Sequence, residues 1–538
     1  MRHTAAIIIV ACIYLPQYGC GEQDEDIGLS DEPAEWAYQT CDLSIQSRSC
    51  ACPGTWTCSV IEICEKRSQL PSCSEILERK AIFDYLRDKT LEREAFSPPK
   101  NAALGLDYEV QSAQLEPLFI RAFSNERLFH AILRMSTVRA DRHLRLLEET
   151  DDGQVAQLWF DDKDLEAPVQ FMPDFSDPSR YQFFVADVAA GDWFPDHATP
   201  TIGDRVLSIN GRPIDRYTQI LVRYLRYSTS QKAAVQAAKR LTQNQAPEFP
   251  SHLYNGDSVT YEFQRASGEV YELTVPYVDE DTLTWTAPPI RTFPGFEPMP
   301  VLEKTNYALH RHAGDKPVLL LRWLDFEDPL VEEMEALLDY AQAEGILDYD
   351  VIIDATDSSG GSGGPDVLKR LSPKPFQTTL GNVRISDISA TFAKTRTPAV
   401  EAWIMSAVEA GQEYTSNAPF KLQYFDADED GIMQPNERHF SGRLVFMCFP
   451  DAGSQLDQFA AMIIDNKLGY SLGMTCAGHS NTWEYEEMLI SPRDGRPLVG
   501  FMWNIGDTIR PNGEVLEGNP AVPEEFIPMT AEIGRAHV

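Results

Sequence analysis

A serine at the expected start of a helix is the residue in this chain best placed to do chemistry. Ser454 follows the apolar run Arg443 to Phe449 and the turn Pro450-Asp451-Ala452-Gly453, and it opens the segment SQLDQFAAMIIDNKLGYSLGMTCAGH, which ends at His479. The apolar run predicts a strand. Ala460, Met462, Ile463 and Ile464 then give an apolar helical face, Asn466 to Gly469 ends the helix, and a short strand is expected at Tyr470 to Met474. Ser454 would lie among unpaired backbone N–H groups, where the helix dipole favours a developing negative charge. A hydroxyl there can attack a carbonyl while a neighbouring amide holds the resulting oxyanion. The same residues support a plainer reading: Ser454 with Asp457 three positions on resembles a capping box, whose only work is to start a helix.

A second set of residues has metal chemistry. Asp426-Ala427-Asp428-Glu429-Asp430-Gly431-Ile432-Met433-Gln434-Pro435-Asn436-Glu437 follows the twelve-residue EF-hand pattern. Asp426, Asp428 and Asp430 offer carboxylates at positions 1, 3 and 5, Gly431 allows the sharp turn, Ile432 offers its carbonyl and Glu437 closes the site with two oxygens. A single loop without a partner loop predicts a structural Ca2+ site of roughly 10⁻⁴ to 10⁻³ M affinity. No organic cofactor is expected.

The cysteines speak to compartment. Of ten, Cys41, Cys50, Cys52, Cys58, Cys64 and Cys73 crowd one short stretch that contains no histidine, which favours a disulfide-stapled module over a zinc site. Cys448 and Cys476 flank the expected helix and either pair with each other or stay buried as small apolar groups. Residues 1–20 read as an export signal: Arg2 and His3, an apolar run from Ala5 to Leu15 too short to span a bilayer, then Gln17-Tyr18-Gly19-Cys20. That end resembles a bacterial lipoprotein cleavage site, with Cys20 acylated and Gly21 directing the protein to the outer membrane; a plainly secreted protein is the other reading. The expected location is the periplasm or cell surface, with the membrane touched only through the lipid. The chain of 538 residues carries 82 acidic against 46 basic side chains, a formal charge of −36, which argues against nucleic acid or an anionic membrane surface as the main partner.

Several elements must position these groups. Residues 21–40 form an acidic tether and 41–73 the cysteine module. Helical spacing at Ser74 to Glu94 and within Leu115 to Leu147 predicts a small helical N-terminal domain over 74–160. From 161 to 285 short strands alternate with turns around one long helix, Tyr217 to Leu241; Asn255-Gly256 and Gly268 mark turns beside strands at Val259 to Arg265 and Tyr271 to Tyr277. From 286 to 538 the pattern is α/β: a buried strand at Val318 to Trp323, an amphipathic helix at Pro329 to Glu344 and a strand at Asp350 to Ile353 running into a Gly/Ser-rich turn.

These segments resemble, in order, parts of one peptidase family. Ser454, Asp457 for glutamate, Phe459, Ala460, Asp465, Gly473 and Gly478 follow without a gap the nucleophile region of the C-terminal-processing (tail-specific) serine peptidases, S-A-x-E-x-F-A then G-x-x-T-x-G-K. His479 stands where the processing branch has its general-base lysine. Arg139-Ala140-Asp141-Arg142-His143-Leu144 resembles the D-G-H-T segment of the tricorn-like branch, whose histidine is the base. Gly203 to Ile214 (GDRVLSINGRPI) resembles the hairpin of PDZ domains, modules that capture peptide ends as added strands. Asp354 to Gly364 resembles the D-L-R-x-N-x-G-G turn that completes the oxyanion hole, with Thr356 and Ser358 at the arginine and asparagine positions. Arg510 to Glu524 resembles the closing segment in which a glutamate orients the histidine; Glu517 matches best and Glu514 second.

The resemblance implies an α/β, ClpP/crotonase-like core, a PDZ-like β-rich domain at 161–285 and the loop 426–437 inserted in the core. It implies an exported serine endopeptidase acting on polypeptides: Ser454 as nucleophile, His143 as base with His479 its rival, Glu517 orienting the imidazole, and Gly360 or Gly361 with the Gln455 amide as oxyanion donors. The alternative from another class is a catalytically inactive PDZ-containing surface lipoprotein that binds partners.

Overall fold

The computed structural model describes residues 73–530 apart from 160–164, 178–179, 196–198, 245–255, 286–292, 315, 359, 420–429 and 481–482. The export signal with Cys20, the acidic tether, Cys41 to Cys64, the Cys73 side chain, Asp426 and Asp428 lie outside the described residues.

The N-terminal helices are α1 (Cys73–Arg93), α2 (Pro98–Leu104) and α3 (Asn125–Thr137), and the last two start where short polar side chains accept the first free N–H groups. Ser97 Oγ accepts from the Lys100 amide, Pro98 sits at the first helical position, and Ser124 accepts from the Arg127 amide, which splits the helical stretch expected from Leu115 onward. Their apolar faces do not close on themselves. Phe83, Leu86, Phe119 and Ile132 share one core with Phe501 and Trp503, some 400 positions away in the chain, and with Val400 and Ile404. Leu146 and Leu147 complete the junction by pairing with Phe501 and Gly500. Arg93 adds ion pairs to Asp387 and Glu487 at 2.9 and 2.6 Å.

A middle unit follows: β1 (Val169–Pro173), β2 (Phe183–Ala190), β3 (Arg205–Ile209), β4 (Ser258–Gln264) and β5 (Val270–Pro276), with α4 (Ile214–Leu221) and α5 (Ser230–Arg240). The sheet runs β2-β3-β4-β5, with β1 also on β2. After β3, Asn210 and Gly211 both take positive φ, 49° and 73°, which fits a two-residue hairpin turn. The expected single helix from Tyr217 to Leu241 is two. Thr229 Oγ1 accepts the Lys232 amide at 3.1 Å and starts α5 anew, so the Ser228-Thr229-Ser230 cluster overrides the apolar spacing that runs through it.

The third part is a seven-stranded sheet. Its strands are β6 (Phe296–Glu303), β7 (Tyr307–His312), β8 (Val318–Trp323), β9 (Asp350–Asp354), β10 (Leu444–Cys448), β11 (Tyr470–Gly473) and, at the edge, β14 (Glu525–Phe526). From β8 onward all neighbours are parallel. Helices α6 (Leu330–Glu344), α7 (Gly364–Leu371) and α9 (Gln455–Asp465) make the crossovers or pack on them, while α8 (Pro398–Glu409) lies with the N-terminal helices. Strands β12 (Glu484–Ile490) and β13 (Pro497–Asn504) form the hairpin on which those helices rest. Helix α9 is enclosed on all sides: every residue from Gln455 to Ile463 is buried. Phe459 stacks on Trp323 and meets Phe326 and Phe446 edge-on. Burial of one such ring is worth about 1.5–3 kcal/mol, so α9 is fixed by packing and can carry a residue of unfavourable backbone shape at its start.

Candidate active site

That residue is Ser454. It sits between β10 and α9 at φ 60° and ψ −120°, a conformation that costs an L-residue about 1–3 kcal/mol. Its side chain makes no capping bond to the helix. The serine half of a capping box is therefore absent, while the buried Asp457 carboxylate accepts the Gly478 and His479 amides at 2.9 and 3.0 Å and also lies against the Ser454 amide. Burial pushes the Asp457 carboxyl up to about 7 against these bonds. The Ser454 amide donates to the His479 carbonyl at 2.8 Å, so the chain after β11 lies beside the Ser454 turn. Cys448, at the end of β10, and Cys476, just before this strip, are joined in a disulfide.

Gly360 lies against Ser454. A Cβ there would stand 2.7 Å from the Ser454 Cβ and 3.2 Å from its Oγ, closer than packing permits. Gly361 pairs with Phe326 as a parallel bridge, which seats the turn after β9. Gln455 opens α9 and presents its backbone amide on the helix N-terminus.

The two histidines come together from opposite ends of the chain, with ring centroids 4.8 Å apart and edge to face. The His479 ring occupies the space a side chain at 453 would need: a Cβ on Gly453 would fall 1.9 Å from His479 Cε1. Its Nδ1 is buried with no hydrogen-bond partner. Burial, then the charges of His143, Lys232, Arg142 and Arg226, hold its pKa well below the usual 6.5.

His143 has the opposite surroundings. Atoms of Asp141, His143 and Glu517 able to share a proton or a cation all lie within 4.8 Å of one another. Asp141 Oδ1 accepts the His143 amide at 3.0 Å, and Glu517 Oε2 accepts the Ser480 amide at 2.9 Å. The Lys100 ammonium lies 3.4 Å from Glu517 Oε1 and 3.7 Å from Asp141 Oδ2. All three charged groups are buried. Burial, then the Asp141 charge, raises the Glu517 pKa; burial would raise Asp141 too, but Lys100 and His143 outweigh it and lower that carboxyl. Glu514 is exposed and bonded to Asn512 and Asn519, away from this cluster.

Helix α5 of the middle unit closes one side. Lys232 Nζ donates to the Asp451 carbonyl and carboxylate at 2.7 and 2.9 Å, and Lys239 reaches the same carboxylate at 2.8 Å. Thr229 Oγ1 donates to the Ala477 carbonyl at 3.1 Å. Lys100 and Lys232 escape sequence reading because a lone lysine in a solvated-looking stretch carries no signal of its own; only the Ser97-Pro98 helix start beside Lys100 is legible.

Of the loop at 426–437, Asp430 onward is described. Gly431 has φ 79°, the Ile432 amide donates to Asp430 Oδ1 at 2.8 Å, and Ile432–Met433 pairs with Phe376–Gln377. Glu437 is exposed, and no helix begins at the end of the loop, unlike an EF-hand.

Neither a protein-family model nor a curated protein matches the sequence. Solved structures do resemble the fold. Mature CPAF is similar over 86% of this chain and 94% of its own, at 15% identity and a TM-score of 0.64. Mature CPAF complexed with lactacystin is similar over 86% and 96%, again at 15% identity and a TM-score of 0.64. The photosystem II D1 C-terminal processing protease covers 84% and 92% at 12% identity and a TM-score of 0.38, a likeness on which nothing below rests. The chain shares its mixed α/β fold with CPAF across nearly the whole length of that protein.

Proposed function

We propose that the chain is an exported serine endopeptidase of the tail-specific, tricorn-like type, cleaving peptide bonds in extracytoplasmic polypeptides. Ser454 Oγ attacks the scissile carbonyl. His143 takes its proton and returns it to the leaving amine, while Glu517 orients the imidazole. The amide of Gln455 and that of Gly360 or Gly361 receive the oxyanion. One observation carries this reading: Ser454 is held in a strained conformation with its hydroxyl uncommitted to the helix it begins, between a glycine that permits close approach and a histidine cluster. His143 is preferred to His479 as base because anions flank the first and cations the second. His479 is a packing residue under the turn.

The direct test is labelling by a fluorophosphonate probe. Wild-type protein takes the label and Ser454→Ala does not. A wild type that resists the probe and leaves unfolded polypeptides intact is instead a surface binding protein. A second variant reads the oxyanion turn: Gly360→Ala places a methyl against Ser454, and about a 100-fold loss of kcat is expected, with the thermal midpoint within a few degrees of wild type.

The central sheet is read as a ClpP/crotonase-like core and the middle unit as a PDZ-like module that captures polypeptide ends. Support for capture comes from the hairpin turn at Asn210 and Gly211, which fits the PDZ-like reading; the nearby groove of about 220 Å³ holds Arg180 paired with Asp215 at 2.8 Å and Arg205 paired with Asp174 at 3.3 Å. Export to the periplasm or surface, with a lipid on Cys20, is supported by the signal-like first residues and by the Cys448–Cys476 disulfide, a bond that persists in oxidising compartments.

Asp426, Asp428, Asp430, the Ile432 carbonyl and Glu437 are proposed to hold a structural Ca2+. The positive φ of Gly431 and the Asp430 bond to the Ile432 amide fit such a loop. Its pairing partner Gln377 exchanges two 2.9 Å hydrogen bonds with Asn466, which ends α9, so an ordered loop buttresses the nucleophile helix. At 10 mM Ca2+, ten to a hundred times the expected Kd, stabilisation of about 1.4–2.7 kcal/mol should raise the thermal midpoint by about 1–2 °C over chelator. Glu437→Gln should abolish the difference, and equal midpoints in wild type would exclude the site.

A further inference from the structure

We propose that Lys100 is a positioning residue for this reaction: its ammonium, held between Asp141 and Glu517, sets the net charge of the Asp141–His143–Glu517 cluster so that His143 stays neutral at rest and free to take the Ser454 proton. The inference rests on the peptidase reading above and assigns it a residue that lies more than 300 positions from Ser454 in the chain.

Lys100 is brought in by α2, whose first turn is tied to the site it serves. Ser97, which caps that turn, donates its hydroxyl to the Glu517 carbonyl. The Lys100 stem lies flat on Gly518, where a Cβ would meet its Cβ at 2.3 Å. The ammonium thus arrives between two carboxylates at 3.4 and 3.7 Å, with almost no water around any of the three. A buried ion without a partner is strongly disfavoured, so the charges in this space must nearly cancel.

The groups facing the cluster can be paired off. From the end of α1, Glu94 is matched by Arg139 at 3.0 Å. From the middle unit, Lys232 is matched by Asp451 at 2.9 Å, and the Arg226 guanidinium donates to the Arg142 carbonyl at 3.4 Å on the side of His479. The Arg142 and Arg226 guanidiniums keep their charges on that side, and Asp507 faces Lys100 from another; in direct contact Lys100 meets Asp141 and Glu517, one cation for two anions. The set reaches neutrality with one proton, and His143 and Glu517 are its two places. At rest the proton can stay on Glu517, leaving the imidazole free to act as base. When the imidazole takes the Ser454 proton, the ionised Asp141 carboxylate, within 4.8 Å, is the anion beside the new charge.

Without the ammonium the same space would hold two anions and no fixed cation, and it would draw a second proton onto His143 before substrate arrives. Lys100→Met should therefore move the acid limb of the kcat/KM profile up by about one pH unit. Lys100→Arg, which keeps the charge, should leave the limb within a few tenths of a unit whatever its effect on kcat. Asp141→Asn removes an anion and should move the limb down. The His143 C2–H titration followed by NMR in the Ser454→Ala background should show the same three directions without any turnover. Hence a wild type that fails to hydrolyse sinks the peptidase reading, while the titration still reports on Lys100. A Lys100→Met protein with lowered kcat and an unmoved limb, or shifts of the same sign in Lys100→Met and Asp141→Asn, would overturn the proposal. If the methionine variant does not fold, the arginine and asparagine variants decide it.

Discussion

Ser454→Ala lowers kcat by about 10⁴-fold or more against a peptide substrate, with KM little changed. The loss corresponds to about 5.5 kcal/mol of transition-state stabilisation. Its size follows from what remains: the oxyanion amides and the bound substrate are intact, but no covalent intermediate can form, so attack falls to water. Stability should be little changed. Alanine is no easier to hold at φ 60° than serine, and the serine hydroxyl contributes no capping bond that its removal could forfeit. Glycine at 454 should stabilise the protein by about 1 kcal/mol, since the positive φ suits it. A residue whose replacement raises the thermal midpoint while removing activity is held in place for chemistry. If Ser454→Gly proves markedly less stable than wild type, the turn is not strained and that argument falls.

His143→Ala should cost nearly as much, about 10³- to 10⁴-fold in kcat, because it removes the base and strands the two carboxylates and the lysine arranged around it. His479→Gln should cost no more than about tenfold. The contrast is one of surroundings and not of distance, for the rings are neighbours. Protonating His479 would add a cation to a region that already holds Arg142, Arg226 and Lys232, whereas protonating His143 places a cation beside Asp141 and Glu517. The His479 ring also fills the space above Gly453, so His479→Gln should lower the midpoint by several degrees through lost packing. Measuring both kcat and the midpoint for the two variants separates chemistry from packing. The reverse pattern, with His479→Gln inactive and His143→Ala active, would transfer the base role to His479.

The helix α5 contacts tie the middle unit to the turn before Ser454. Lys232 and Lys239 hold Asp451 two residues before Gly453. Burial pushes that carboxyl up, but the two ammonium groups outweigh it and bring it to about 2. The middle unit is thus anchored on the nucleophile turn itself, at its polar end by this pair and at its apolar end by Val235 against Phe449 and Met474.

Local pattern was enough for most of the elements. Strands β8 to β11, the helix after Pro329 and the hairpin at Asn210-Gly211 follow from apolar runs, periodicity and turn residues, because each depends on neighbours within a few positions. The same holds for Ser454 as the start of α9. The break between α4 and α5 was legible in principle, since a Ser/Thr cluster that caps a helix is written in the chain; the apolar spacing merely spoke louder.

What the chain does not declare is which distant groups meet. Residue order and spacing carry the resemblance that pointed to His143, Glu517 and His479, but not their electrostatics. That is decided by the packing of α1 and α3 on β13, which carries residues 97–143 across to the segment around Glu517 and so brings Lys100, Asp141 and His143 to one buried point. Charge in low-dielectric space is the reason. Whether an imidazole acts as a base or as a spacer depends on the sum of all charges within a few ångströms, and that sum exists only after the two ends of the chain have folded together.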